Sequence, residues 1–204
     1  MGGEATGAGR VGDACGRVEG DGRCGLWLTV SGGHAGEVST VEPNTAPTSA
    51  SGLVAERYDQ AMRRALALAA QAARAGEVPV GALVLGPDGT VLAEAANSRE
   101  AEHDPTAHAE LRALRAAGAA LGDSHLDGCT LVVNLEPCTM CAGALVLARV
   151  ARVVFGAWEP RTGACGSVRD VLRDPRANHQ VEVLSGVRAS QSEGLLREFF
   201  GRRR

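Results

Sequence analysis

The sequence predicts an α/β domain of three layers, with helices covering both faces of a central sheet. Three observations predict it. Helical and strand-like segments alternate from about residue 53 onward, and the strand segments are apolar runs rather than apolar–polar alternations, as in strands buried on both faces. The chain has 204 residues, 45% of them hydrophobic, which suits one domain with a well-buried core. No internal repeat interrupts this pattern.

Taken in order, residues 53–76, "LVAERYDQAMRRALALAAQAARAG", space Tyr58, Met62, Ala65 and Ala69 at helical intervals and end on Gly76, a natural left-handed cap. "VPVGALVLGPDGTVLAEAAN" then reads as two strands joined by a Pro-Asp-Gly turn, with Asn97 just past the second. A helix is expected to begin near Thr106, followed by the strand "CTLVVNL", the helix "CTMCAGALVLARV" and the strand "RVVFGAW". A short helix near "SVRDVL", the strand "VEVLS" and a last helix reaching "REFFGRR" complete the chain.

Residues 1–51 are different. They hold 12 of the 27 glycines and only one short apolar run, "LWLTV", too little to build a core. They read as a disordered Gly-rich extension, with residues 52–204 as the folded domain. The formal charge of −3 resides in the extension, which has six acids and three arginines; residues 52–204 balance 18 acids against 18 arginines. The domain therefore lacks the overall positive field of many nucleic-acid binders. Every basic residue is arginine, which together with abundant Ala and Gly points to mutational bias in the source genome. No apolar run is long enough to cross a bilayer and no secretory signal opens the chain, so a cytoplasmic location and no membrane partner are expected. In that compartment the six cysteines read as thiols or metal ligands rather than disulfides. Cys15 and Cys24, inside the extension, read as two lone thiols or a metal clip.

The chemistry is concentrated at two expected helix starts. In "HDPTAHAELRAL", His108 and Glu110 stand two apart, a spacing that lets both face one target only at a helix end. In "LEPCTMCAGA", Cys138 and Cys141 are three apart, so one helical turn brings both sulfurs to one side, where the positive helix end favours thiolates. If the two helix ends are neighbours, His108, Cys138 and Cys141 form a ligand set suited to Zn²⁺. Three protein ligands leave a tetrahedral position for water, whose pKa zinc lowers towards ~7. Glu110, beside that water and not on the metal, would carry its proton. The rival is a closed structural zinc with a fourth ligand from Cys129, Cys165, His103 or His179. The order His-x-Glu then Pro-Cys-x-x-Cys resembles the signature of zinc-dependent nucleobase deaminases.

Over residues 56–204 the chain resembles the bacterial tRNA-specific adenosine deaminases. The likeness rests on "EVPVGALV", on Asn97 followed by "HDPTAHAE", on "LEPCTMCAGA", on "RVVFGAWEPRTGACGS" and on "LLREFFGRRR". It implies the cytidine deaminase-like fold with a mixed five-stranded sheet, a homodimer, and conversion of adenosine to inosine at the wobble position of a tRNA anticodon loop. It makes His108, Cys138 and Cys141 the zinc ligands, one ion per subunit, and Glu110 the proton shuttle that protonates N1 of a flipped adenine as the activated water attacks C6. Asn97 matches a residue that hydrogen-bonds the base, and Val78 and Leu135 match pocket walls. On their own, Asn97 reads equally as a strand-ending turn residue, and Val78 and Leu135 as core.

Departures fall where RNA should touch. Glu159 stands where the family typically has aspartate near the ribose, Ala96 where an aromatic often precedes the asparagine, and Ser98 where a basic residue can follow it. Trp158, Phe199 and Phe200 offer stacking for splayed bases, although for the two phenylalanines packing of the last helix is the preferred reading. Arg161 and Arg202, Arg203 and Arg204 offer phosphate contacts, or form a solvated tail. A deaminase of a free base or nucleoside would share the zinc site, and a non-enzymatic zinc module would have no use for Glu110.

Overall fold

A computed structural model describes residues 50–202. The expected extension, with Cys15 and Cys24, lies outside the described residues apart from its last two positions, which open the first helix; Arg203 and Arg204 also lie outside them. Helix α1 spans Ala50–Arg74, strands β1 and β2 Gly81–Leu85 and Val91–Ala96, and helices α2 and α3 Arg99–Glu102 and Ala109–Leu121. Strand β3 (Thr130–Leu135), helix α4 (Thr139–Leu147), strands β4 (Arg152–Ala157) and β5 (Glu182–Leu184) and helix α5 (Ala189–Gly201) follow.

The five strands form one mixed sheet in the order β2-β1-β3-β4-β5. β1 runs antiparallel to β2 and β3, whereas β3, β4 and β5 are parallel, with α4 as the crossover from β3 to β4. The register explains the two cores. Leu83, Val132 and Val154 are aligned across β1, β3 and β4 and pack with Tyr58, Met62 and Ala65 of α1. Their neighbours Ala82, Val133 and Phe155, with Val84, Leu131 and Val153, point the other way onto Ala109, Ala113 and Leu114 of α3 and Cys141, Ala142 and Leu145 of α4. Strands apolar on both faces are what a sheet between two helical layers requires.

The small residues of α1 set how closely it approaches. A Cβ at Gly81 would collide with the Ala65 carbonyl and lie 2.6 Å from Leu68 Cβ, so β1 begins against bare helix backbone. Just past the end of α1, Gly76 turns the chain with φ +85, and the Glu77 N–H donates to the Ala72 carbonyl at 2.9 Å. On the same face, α5 is tied to α1 where Arg188 donates to both carboxylate oxygens of Asp59 at 2.6 and 2.9 Å.

Two expectations need correction. The His108 helix starts at Ala109 rather than near Thr106, because the single turn α2 and the Asp104–Thr106 turn intervene. No helix forms at residues 167–172. A helix there would send the Val171 N–H back to Ser167; instead Val171 and Arg169 donate to the carbonyls of Ala164 and Gly163, and a buried acid, Glu136, gathers the turns before them.

Candidate active site

His108 is the N-cap residue of α3, with extended backbone (φ −70, ψ 146), and Cys138 is the N-cap of α4 (φ −74, ψ 174). Neither side chain caps its own helix, so both are free to turn toward each other. Cys141 lies in the first turn of α4 and is fully buried. His108 Nδ1 is 3.8 Å from Cys138 Sγ and 3.6 Å from Cys141 Sγ, and the three ligand atoms lie within 4.8 Å of one another. The two helix ends are therefore neighbours, as the ligand set requires.

The electrostatics suit a cation. Hydrogen bonds from Cys141 and His108 hold the Cys138 thiol well below the usual thiol range, which favours the thiolate form that a metal needs. Cys141 is shifted upward as the thiol that supplies the proton in that contact, and His108 is raised by its hydrogen bond with Cys138. Two cysteine sulfurs and an imidazole nitrogen converging on one point fit Zn²⁺, whose binding would displace any thiol proton that remains. Among the described residues this group contains no fourth His, Cys, Asp or Glu. Cys129 and Cys165 are buried free thiols outside it, and His179 pairs with the Val150 carbonyl at 2.8 Å. Among the described residues the set is thus a three-ligand one.

Glu110 lies in the first turn of α3, 4% exposed, and burial pushes its carboxyl above the usual carboxylate range. A cavity of about 160 Å³ joins His108, Glu110 and Cys138 to Asn97, Val78, Leu135 and Glu159. Arg161 and Phe200 do not reach it. They line an adjoining groove of about 750 Å³ with Trp158 and Arg197, and Leu135, Glu159 and Thr162 border both spaces. Phe200 is half exposed, while Phe199 is buried, so the two phenylalanines divide between groove and core.

The matching family is described as the cytidine and deoxycytidylate deaminase zinc-binding region, and the match covers residues 55–157. The chain belongs to this deaminase family. It is 48% identical over 139 residues to the tRNA-specific adenosine deaminase of Bacillus subtilis, covering 68% of this chain and 86% of that protein. It is 50% identical over 163 residues to a tRNA(Ile)-lysidine synthase of Deinococcus deserti, covering 78% of this chain but only 30% of the relative; the deaminase chain thus spans less than a third of that protein. A solved tRNA:A34 deaminase, from work on A-to-I editing at the wobble position of transfer RNA, aligns with a TM-score of 0.65 and 41% identity over 67% of this chain and 99% of its own.

Residue patterns did not reveal the acids that hold the deaminase pocket in shape. Glu136 accepts the N–H groups of Glu159 (2.9 Å), Cys165 (2.9 Å) and Ser167 (3.1 Å), fixing the loop that carries Glu159 and Thr162. A Cβ at Gly163 would strike the Glu136 carboxylate, so only glycine fits there. Glu77, 2% exposed, receives Asn97 and the start of α2, whose Arg99 also lines the cavity. Asn134 accepts from the Gly81 N–H (2.8 Å) and donates to the Pro79 carbonyl (3.0 Å), which sets the Val78–Val80 wall. The available signal was a lone acid beside apolar strand ends, which burial obliges to find donors.

Proposed function

We propose that this chain converts adenosine to inosine at the wobble position of a tRNA anticodon loop. The observation that carries the reading is the joining of two members of the metal-type triad, His108 and Cys138, with a buried carboxylate and Asn97 in one small cavity beside a wide groove, with Cys141 buried behind them. The relatives' names, tRNA-specific adenosine deaminase and tRNA(Ile)-lysidine synthase, support a tRNA substrate.

A zinc ion held by His108, Cys138 and Cys141 would supply an open position for water and lower that water's pKa towards ~7. The protein's own part lies with Glu110. Its carboxylate accepts the water's proton and places it on N1 of the base as C6 is attacked. It then takes the proton of the newly added hydroxyl and delivers it to the amino group, so that C6=O forms as the C6–N bond breaks and ammonia leaves. Its burial suits the task, because desolvation raises the carboxyl above its ordinary range and so favours its taking up a proton that it can then pass on. Asn97, Val78 and Leu135 hold the base, and water is squeezed from a cavity of about 160 Å³.

The adjoining groove takes the flanking nucleotides. Trp158, 46% exposed, and Phe200, 50% exposed, offer faces for stacking, and Arg161 and Arg197 offer cations for phosphates. Opposite α1, the surface of α3 and α4 exposes Leu121, Met140 and Leu147 (78%), and this apolar face supports a homodimer. Sedimentation is expected to give the dimer mass. The reading is tested by kinetics on an anticodon stem-loop against free adenosine and cytidine. Turnover is expected on the stem-loop and near absence on the free nucleosides, with RNA affinity falling shallowly with salt because few phosphates are contacted. Comparable turnover on free cytidine would replace it with a nucleoside deaminase.

A further inference from the structure

Asn97 ends β2 inside the cavity, and its neighbour there is a carboxylate from a distant part of the chain. Glu77 Oε2 accepts the Asn97 Nδ2 hydrogen at 3.1 Å, and Oε1 accepts the backbone N–H groups of Glu100 and Ala101, each at 2.9 Å. Both residues are buried, Glu77 at 2% exposure and Asn97 at 6%. A side-chain amide has two ends of nearly equal shape, and its hydrogen-bond partners decide which end faces where. A carboxylate only accepts, so the nitrogen of Asn97 must be the end that meets Glu77. Asn97 Oδ1 has no hydrogen-bond partner among the described residues, and none of their sealed polar side-chain atoms lacks one, so this oxygen opens onto the cavity.

Asn97 therefore offers a base one carbonyl oxygen and the second hydrogen of Nδ2, in a fixed order. An asparagine amide so presented can pair with the amino group and N7 of adenine together, and only in one orientation. We propose that Glu77 is a positioning residue: it locks the Asn97 amide in the orientation that reads the amino–N7 edge of a purine, and through Glu100 and Ala101 it holds the turn carrying Arg99 at the same cavity. This rests on the adenosine-deaminase reading and adds how the base is selected. Nothing in it requires Glu77 to touch the substrate.

The test compares the wild-type chain with Glu77→Gln on anticodon stem-loops carrying adenosine or 7-deazaadenosine at the reactive position. The glutamine variant's amide nitrogen would face Asn97 Nδ2, so one of the two amides must turn over. In wild type, removing N7 is expected to cost roughly tenfold in kcat/KM, the worth of one hydrogen bond. Glu77→Gln is expected to cost about as much on adenosine and to lose nothing further on 7-deazaadenosine. Losses that simply multiply would overturn the proposal, since a merely structural defect is blind to N7.

The double variant Glu77→Gln/Asn97→Asp restores a matched donor and acceptor with their roles exchanged. Its Tm is expected to recover while turnover stays low, because no hydrogen remains for N7; recovered turnover would count against the proposal. The double variant also replaces Glu77→Gln in the analogue comparison should the single variant fail to fold. If wild type deaminates no stem-loop, the functional reading fails by itself. The orientation is then judged from NMR exchange of the Asn97 side-chain amide hydrogens, slowed in wild type relative to Glu77→Gln if Glu77 holds them and equal in both if it does not.

Discussion

Glu110 and Glu136 are both buried acids within reach of the same cavity, yet their surroundings give them opposite tasks. Glu136 spends its oxygens on three backbone N–H groups and is fixed in place, whereas Glu110, raised by desolvation, is poised to exchange a proton. Glu110→Ala is expected to retain about one zinc per chain and to lose turnover by about 10²–10⁴-fold; metal analysis and a deamination assay on the same preparation check both halves. Loss of the metal would make Glu110 a ligand. Glu136→Gln turns an NH₂ group onto one of the converging backbone donors and is expected to cost about 1.5–3 kcal/mol of stability, read from urea unfolding. His108, Glu110, Cys138 and Cys141 were legible in the sequence because metal and proton chemistry fix residue type and spacing together. Glu77 and Glu136 were not, because their partners are backbone groups 23 to 31 residues away, which side-chain identity does not advertise.

Among the elements, periodicity was a sound guide wherever a helix or strand buries its own apolar face. The Tyr58, Met62, Ala65 and Ala69 stripe and the two-faced strands appear where the pattern put them. It failed at "SVRDVL", where Val168, Val171 and Leu172 have helical spacing but the backbone is committed to Gly163 and Ala164 instead. Long-range hydrogen bonds override local propensity there. The joint between α1 and α5 was also invisible, since Asp59 and Arg188 are 129 residues apart. The Arg188 hydrogen bond holds the Asp59 carboxyl below its ordinary value, aided by Arg63. A depressed carboxyl stabilises the fold above its unfolded pKa of about 3.9 and loses that contribution as pH falls through its folded value. Asp59→Asn is therefore expected to lower Tm slightly at pH 7, with the gap between variant and wild type closing below about pH 4. Thermal melts across that range check it; a gap that widens on acidification would reverse the assignment.

For the whole molecule, we place the activity in residues 52–204, and the Gly-rich composition of residues 1–51 supports their being dispensable. Deleting them is expected to leave Tm and turnover unchanged, and a lowered Tm would make them part of the fold. The membership of the folded part in a deaminase family follows from its motifs and its architecture alike, and no helix among the described residues is long and apolar enough to cross a membrane. The substrate is the larger claim, because a neutral domain must recognise RNA through one cavity and one groove rather than through its overall field. The most direct test is mass spectrometry of a tRNA pool incubated with the zinc-loaded chain, with the Glu110→Ala protein in parallel. Inosine at the wobble position of particular tRNAs, absent with Glu110→Ala, is the predicted result; a pool left without inosine by the zinc-loaded wild-type chain would contradict the account.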